Sequence, residues 1–185
     1  MTTENAAGRD TRNVQDFYKS MAQDEIIADL QSRRTPLVNI CMNFTSDFQK
    51  GAVVRANNAF LGSKVVIVGR RKYNVKGAVG TQHYEHVERS PELEPVVASL
   101  VTAGYSVHPV DNIESHNPVN LYDYELPLKS AFVYGEEGAG LSEESIALCN
   151  APMLSISMPG SVRSLNVGQA SAVLMAEYSR QHRLS

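Results

Sequence analysis

Residues 152–181 read PMLSISMPGSVRSLNVGQASAVLMAEYSRQ, and the rest of the chain is best read outward from them. PMLSIS is a short apolar run of strand type. Met158-Pro159-Gly160 then breaks it, because proline lacks the N–H a ladder needs and glycine punctuates loops. Arg163-Ser164-Leu165-Asn166 leads into NVGQASAVLMAEYSRQ, whose apolar residues recur three and four apart over 166–182. The stretch is therefore a strand, a loop and a long amphipathic helix. Ser164 is placed to cap that helix through its hydroxyl, and the same free amides would equally suit a phosphate. Val167, Ala170, Val173, Leu174 and Tyr178 read as the sheet-facing side. Met175 and Ala172 point elsewhere, which gives the helix a second apolar surface suited to another chain.

Upstream, LVNIC at 37–41, KVVIVG at 64–69, YSVHPV at 105–110 and SAFVYG at 130–135 are further strands. GAVVRANNAFLG, PELEPVVASLVTAG and SEESIALC lie between them with helical spacing. Near-continuously apolar strands alternating with helices predict an α/β fold with a parallel sheet covered by helices on both faces. Ligands of such sheets bind beyond the carboxyl ends of the strands. Residues 1–34 read as an N-terminal helical arm, carried by the periodicity from Val14 to Leu30 and closed by Arg33 and Arg34; residues 35–185 form the main domain. The segment from Asp111 to Leu128 reads as an irregular connection.

Composition narrows the function. A chain of 185 residues, 43% hydrophobic, can bury one substantial core. A formal charge of -3 gives no overall pull toward nucleic acid, so any such contact must be a local patch. Cys41 and Cys149 form no CxxC pair, which argues against a disulfide framework or a zinc ribbon. No apolar run reaches membrane-spanning length and the first residues are polar, so the expectation is a soluble cytoplasmic protein. His83 and His86 lack two further ligands at plausible spacing, and no metal is expected. The GxGxxG of a dinucleotide-binding unit is absent, which argues against a nucleotide-dependent oxidoreductase.

Three segments remain distinctive: QKGAVVR at 49–55, YGEEGAGL at 134–141 and ISMPGSVRSLNVGQA at 156–170. In the second, Gly135, Gly138 and Gly140 follow a strand, where they suit either a simple turn or close backbone approach to a ligand. Together, in this order, the segments resemble the three signature motifs of SpoU (TrmH-like) RNA 2′-O-ribose methyltransferases of the SPOUT superfamily. RSLNVGQASAVLMAEYSRQ is especially similar to the C-terminal end of tRNA guanosine 2′-O-methyltransferases, and GAVGTQHYEHV at 77–87 also resembles that group.

The resemblance, covering about residues 37–182, implies a C-terminal deep trefoil knot and S-adenosylmethionine as cofactor, with Gly135, Ile156, Met158 and Leu165 at the cofactor-binding positions. It implies catalytic or substrate-positioning roles for Arg55, Glu137, Ser164 and Asn166, and a homodimer whose pockets draw on both chains. Gln49 stands where the family usually has Asn, and Gly135-Glu136-Glu137 where it often has Gly-Asn-Glu. The reaction it implies requires an RNA hydroxyl aligned with the methyl donor and relieved of its proton. A guanidinium is almost never neutral, so phosphate-assisted activation or stabilisation of the alkoxide suit Arg55 better than direct proton abstraction. The implied substrate is tRNA, with a D-loop guanosine favoured; ribosomal RNA is the alternative, and a module that only holds RNA a third reading. Arg70, Arg71, Lys72 and Lys76 form the densest basic cluster, with Tyr73 among them as a stacking face, and with Arg33 and Arg34 they make up the expected RNA contacts.

Overall fold

The structure is a computed structural model that describes residues 12–42, 49–70, 72–136 and 138–182. Seven strands form one sheet: β1 (Val38–Met42), β2 (Lys64–Val68), β3 (Val87–Ser90), β4 (Ser106–Val110), β5 (Val119–Asn120), β6 (Ser130–Tyr134) and β7 (Leu154–Ser155). Their spatial order is β3-β2-β1-β6-β4-β7-β5, and every pairing is parallel. Because side chains alternate along a strand, the apolar runs feed both faces. Cys41, Val65, Ile67, Phe132 and Tyr134 meet one core, with α2 (Gln49–Ala59) and α5 (Val167–Gln181) over it. Val38, Ile40, Val66, Val68, Ala131 and Val133 meet the other, covered by α3 (Glu94–Thr102) and α4 (Glu143–Leu148).

The expected α/β architecture is thus observed, with differences at its margins. PMLSIS contributes only Leu154 and Ser155 to the sheet, paired with Val110, Val119 and Asn120. β3 is an edge strand bonded to β2 alone, so Glu88 and Arg89 are tolerated in it and the apolar signal was weak. The 111–128 connection contains β5 and two short 3-10 turns, at Glu114–His116 and Leu121–Asp123. Met175 is fully buried in the core between α5 and the sheet, which corrects its expected outward orientation. Its burial removes one of the two residues on which a second apolar surface of this helix rested.

The arm residues that are described form a 3-10 turn at Asp16–Tyr18 and α1 (Gln23–Arg33) rather than one helix. The Glu25 carboxylate accepts the Ala22 N–H at 2.7 Å, which closes the α1 N-terminus. Tyr18, Ile26 and Leu30 pack with Tyr84 in a small core of their own. Arg12 donates to the carbonyls of Lys19 at 3.0 Å and Met21 at 2.9 Å, tying the turn together.

Arg34 corrects one expectation. Its side chain is 7% exposed and pairs at 3.0 Å with Glu85, whose side chain is 0% exposed. The guanidinium also donates to the carbonyls of Gly62 and Tyr84, so it joins the end of α1 to the segments before β2 and β3, and its charge is met inside the protein rather than offered at the surface as expected. Glu85 in turn accepts from Asn57 and Asn58 of α2, both at 2.7 Å. Asn57 accepts from Asn39 of β1 at 2.9 Å, and Asn39 accepts from the Tyr134 hydroxyl of β6 at 2.9 Å.

Two predictions follow from this packing. Removing one partner of a buried ion pair strands the other, so Glu85→Ala is expected to cost about 3–5 kcal/mol of stability; an unchanged urea midpoint would contradict that role. The second concerns His108 on β4, whose Nδ1 lies 3.0 Å from the Pro152 carbonyl and whose Nε2 is buried without a partner. Burial lowers its pKa below 6.5. The folded state therefore resists protonation: stability is constant above the unfolded value and falls as pH drops below it toward the depressed folded value. His108→Phe should flatten that decline in urea midpoints taken from about pH 7 to about pH 5.

Candidate active site

β6, β4 and β7 are neighbours in the sheet, so the segments leaving their carboxyl ends converge. They enclose a cavity of about 620 Å³. Val110 to Ile113 form one wall, the turn after Tyr134 a second, Leu154 to Met158 a third, and Arg163 to Val167 close it. Gly135, Ile156, Met158 and Leu165 all line this cavity, together with Ser164 and Asn166. Glu137 and Arg71 lie outside the described residues.

The turn after β6 is held by a reciprocal backbone pair: Glu136 N–H donates to Gly140 at 3.1 Å, and Gly140 N–H to Glu136 at 2.9 Å. Gly138 and Gly140 have φ of 90° and 68°, in the left-handed region. Gly135 is needed for closeness: a Cβ there would fall on the Gly140 carbonyl group and 2.7 Å from the Leu141 nitrogen, all backbone. Gly135 and Gly140 thus form a tight turn in which backbone approaches backbone.

Two cavity residues were missed in the sequence. Asp111 accepts the N–H of Asn112 at 2.8 Å and of Leu141 at 3.3 Å, linking the β4 exit to the turn after β6. The Asn112 amide donates to the Arg163 carbonyl at 2.7 Å, linking the same exit to the loop before α5. Their signal was position alone, immediately after the strand 105–110, and the polar run that follows it obscured that.

Asn166, not Ser164, caps α5: its side chain accepts the Gln169 N–H at 2.9 Å, while Ser164 is exposed at the cavity wall. The capped turn sits against α2, because a Cβ on Gly168 would lie 2.7 Å from the Ala52 Cβ and 3.0 Å from the Gln49 Oε1. The first and third motifs therefore meet at Gln49 and Gly168.

Arg55 is not brought to this cavity. It is exposed on α2 and lines a second cavity of about 420 Å³ between that helix and the arm, beside Arg33. Arg33 is engaged by Asp29 and the Tyr18 hydroxyl. Arg70, Lys72 and Lys76 are exposed. Their loop packs on α2, where a Cβ on Gly51 would lie 2.8 Å from the backbone of Ala78 and Asn74. Tyr73, expected as a stacking face, is partly buried against the core, and burial raises its pKa.

A parallel sheet with a glycine-built cavity at its carboxyl edge defines a ligand-binding α/β domain. The chain matches the SpoU rRNA Methylase family over residues 36–176 and belongs to it. An uncharacterized tRNA/rRNA methyltransferase of Mycolicibacterium smegmatis is 30% identical over 90% of this chain, which spans only 54% of that relative. The tRNA (guanosine(18)-2′-O)-methyltransferase of Escherichia coli is 27% identical, over 84% of this chain and 68% of its own. Among solved structures, the A. aeolicus TrmH/SpoU tRNA modifying enzyme has a TM-score of 0.73 at 21% identity, covering 87% of this chain and 82% of that one. The SpoU methyltransferase AviRb from Streptomyces viridochromogenes, in complex with the cofactor AdoMet, has a TM-score of 0.69 at 23% identity, over 84% and 61%.

The cavity can be tested through its glycines. Gly135→Ala should lower affinity for S-adenosylmethionine at least tenfold in calorimetric titration, because the added methyl forces two backbone segments apart. Gly160→Ala, where a Cβ meets nothing within 4 Å, serves as the neutral control. Equal affinities for the two variants would remove the turn after β6 from the binding site.

Proposed function

We propose that this protein transfers a methyl group from S-adenosylmethionine to a ribose 2′-hydroxyl of RNA. The observation carrying the proposal is that all four residues assigned to the cofactor from their motif positions line one cavity. The cavity suits that group. Ile113, Ile156, Leu165 and Val167 offer an apolar lining for a purine, and Asp111 and Glu136 bring negative charge for a sulfonium and an ammonium. When bound, the cofactor supplies an electrophilic methyl.

The chain's own tasks are to bind the RNA, orient the hydroxyl and favour loss of its proton. Arg55 would do the last by stabilising the alkoxide or by holding a phosphate that accepts the proton. Because Arg55 lies outside the cofactor cavity of its own chain, a homodimer in which each cavity faces the Arg55 surface of the partner supplies the missing juxtaposition. Ser164, Asn166 and Glu137 would position the substrate around it. The exposed Arg70, Lys72 and Lys76, with Arg71, would carry the surrounding phosphates.

We read residues 1–34 as an arm docked on a methyltransferase domain at 35–185, whose C-terminal segment threads the preceding loop as a deep trefoil knot. The hydrogen bond from Asn112 to Arg163 supports that close apposition. tRNA is the favoured substrate, at a D-loop guanosine, on the likeness of the C-terminal run and the Escherichia coli relative. Loops are the accessible targets, since only there can a ribose turn into a pocket without breaking a continuous helix.

Labelled S-adenosylmethionine incubated with total RNA should mark tRNA, and the modified position should appear as a gap in an alkaline ladder, because methylation removes the internal nucleophile. Label confined to ribosomal RNA would overturn the substrate, and label without a gap the chemistry. Arg55→Ala should abolish transfer while cofactor affinity stays unchanged, and Arg55→Lys should not restore it because an ammonium lacks the planar fork. Sedimentation of a 20.3 kDa species alone at micromolar concentration would contradict the dimer.

A further inference from the structure

The second cavity, between the arm and α2, carries Arg55 on its wall. Its inner surface is apolar, from Ile26, Leu30 and Leu61, with Tyr84 beside them. At its mouth stands Phe17, 58% exposed, its ring 3.9 Å from that of the buried Tyr18. Asn13 and Gln15 add exposed, neutral hydrogen-bonding side chains. Of its two cations, Arg33 is paired with Asp29, whereas Arg55 is exposed and has no ion pair with a described residue.

We propose that this cavity receives the base of the nucleotide being methylated, stacked on Phe17, with Arg55 beside its ribose-phosphate. The proposal rests on the RNA methyltransferase reading and adds the substrate subsite to it. Unpaired bases in RNA are recognised by being splayed out onto aromatic rings and hydrogen-bonded along their edges. The cavity offers an exposed ring, neutral polar groups for a base edge and one cation for one phosphate. Its volume of about 420 Å³ lies within the range of small-molecule sites. An aliphatic ligand would leave the neutral polar groups unmatched, and a free polyanion would find one unpaired cation. The arm thereby gains a role beyond packing, since Phe17 belongs to the turn that Arg12 holds in place.

The chain contains no tryptophan, so Phe17→Trp places a single indole at the cavity mouth. A short unstructured oligoribonucleotide should quench its fluorescence, while an abasic oligoribonucleotide of equal length should not. In methyl-transfer assays Phe17→Ala and Phe17→Leu should raise KM for RNA by roughly ten- to a hundredfold. Phe17→Tyr, which keeps the ring, should stay near wild type, and all three should keep wild-type affinity for S-adenosylmethionine. An indole that responds equally to both oligonucleotides overturns the proposal. So does a KM unchanged in Phe17→Ala, whether or not sedimentation shows the variant shifted from dimer to monomer; such a shift would make this surface an interface between copies. Failure of the underlying reading looks different: wild-type protein would transfer no methyl to any RNA, and the comparison of the two oligonucleotides would still decide what the cavity holds.

Discussion

A line of buried polar side chains ties the molecule together. Arg34 pairs with Glu85, Glu85 accepts from Asn57, Asn57 accepts from Asn39, and Asn39 accepts from Tyr134. Each link joins a different element: the end of α1, the segment before β3, α2, β1 and β6. Buried polar groups are costly when unmatched, so each link restricts the arrangements open to its neighbours. The line also has functional reach. Tyr134 directly precedes Gly135 of the cavity at the sheet's carboxyl edge, and Asn57 lies two residues beyond Arg55. The arm, the arginine helix and the cavity strand are thus held in one frame, and burial raises the Tyr134 pKa well above 10, keeping its hydroxyl a donor.

The carboxyl edge of the sheet shapes the cavity in a corresponding way. Parallel strands place all their exits on one side, and the order β6-β4-β7 brings together segments far apart in the chain. Asp111 and Asn112 bond to the loops on either side, so the cavity walls are fastened by side chains as well as by the strands beneath. Close contact between the walls depends on Gly135, where any side chain would collide with backbone. The same economy appears where α5 meets α2, with Gly168 against Ala52 and Gln49. Gln49, which stands where the family usually has Asn, lies at this helix contact.

The sequence by itself determined the α/β class, because continuously apolar strands alternating with periodic helices can be satisfied only by a sheet covered on both faces. The family resemblance of the second and third motifs also picked out Gly135, Ile156, Met158 and Leu165, which line one cavity. Tertiary structure alone decided the roles of charges and caps. Arg34 reads as a phosphate contact until Glu85, distant in sequence, is found against it. Ser164 reads as the cap of α5, but the helix begins only at Val167 and Asn166 caps it. Met175 looked outward because helical periodicity does not reveal how far the sheet extends under α5, where the Met175 sulfur lies 3.6 Å from the Asn39 amide of β1. Arg55 and the glycine-turn and loop residues Gly135, Ile156, Met158 and Leu165 belong to one set of motifs yet line separate cavities of this chain. For Arg34, Met175 and Arg55 the physical reason is common: a local pattern encodes backbone conformation and average polarity, whereas a side chain's surroundings are set by which distant segment the packing brings within hydrogen-bonding or van der Waals range.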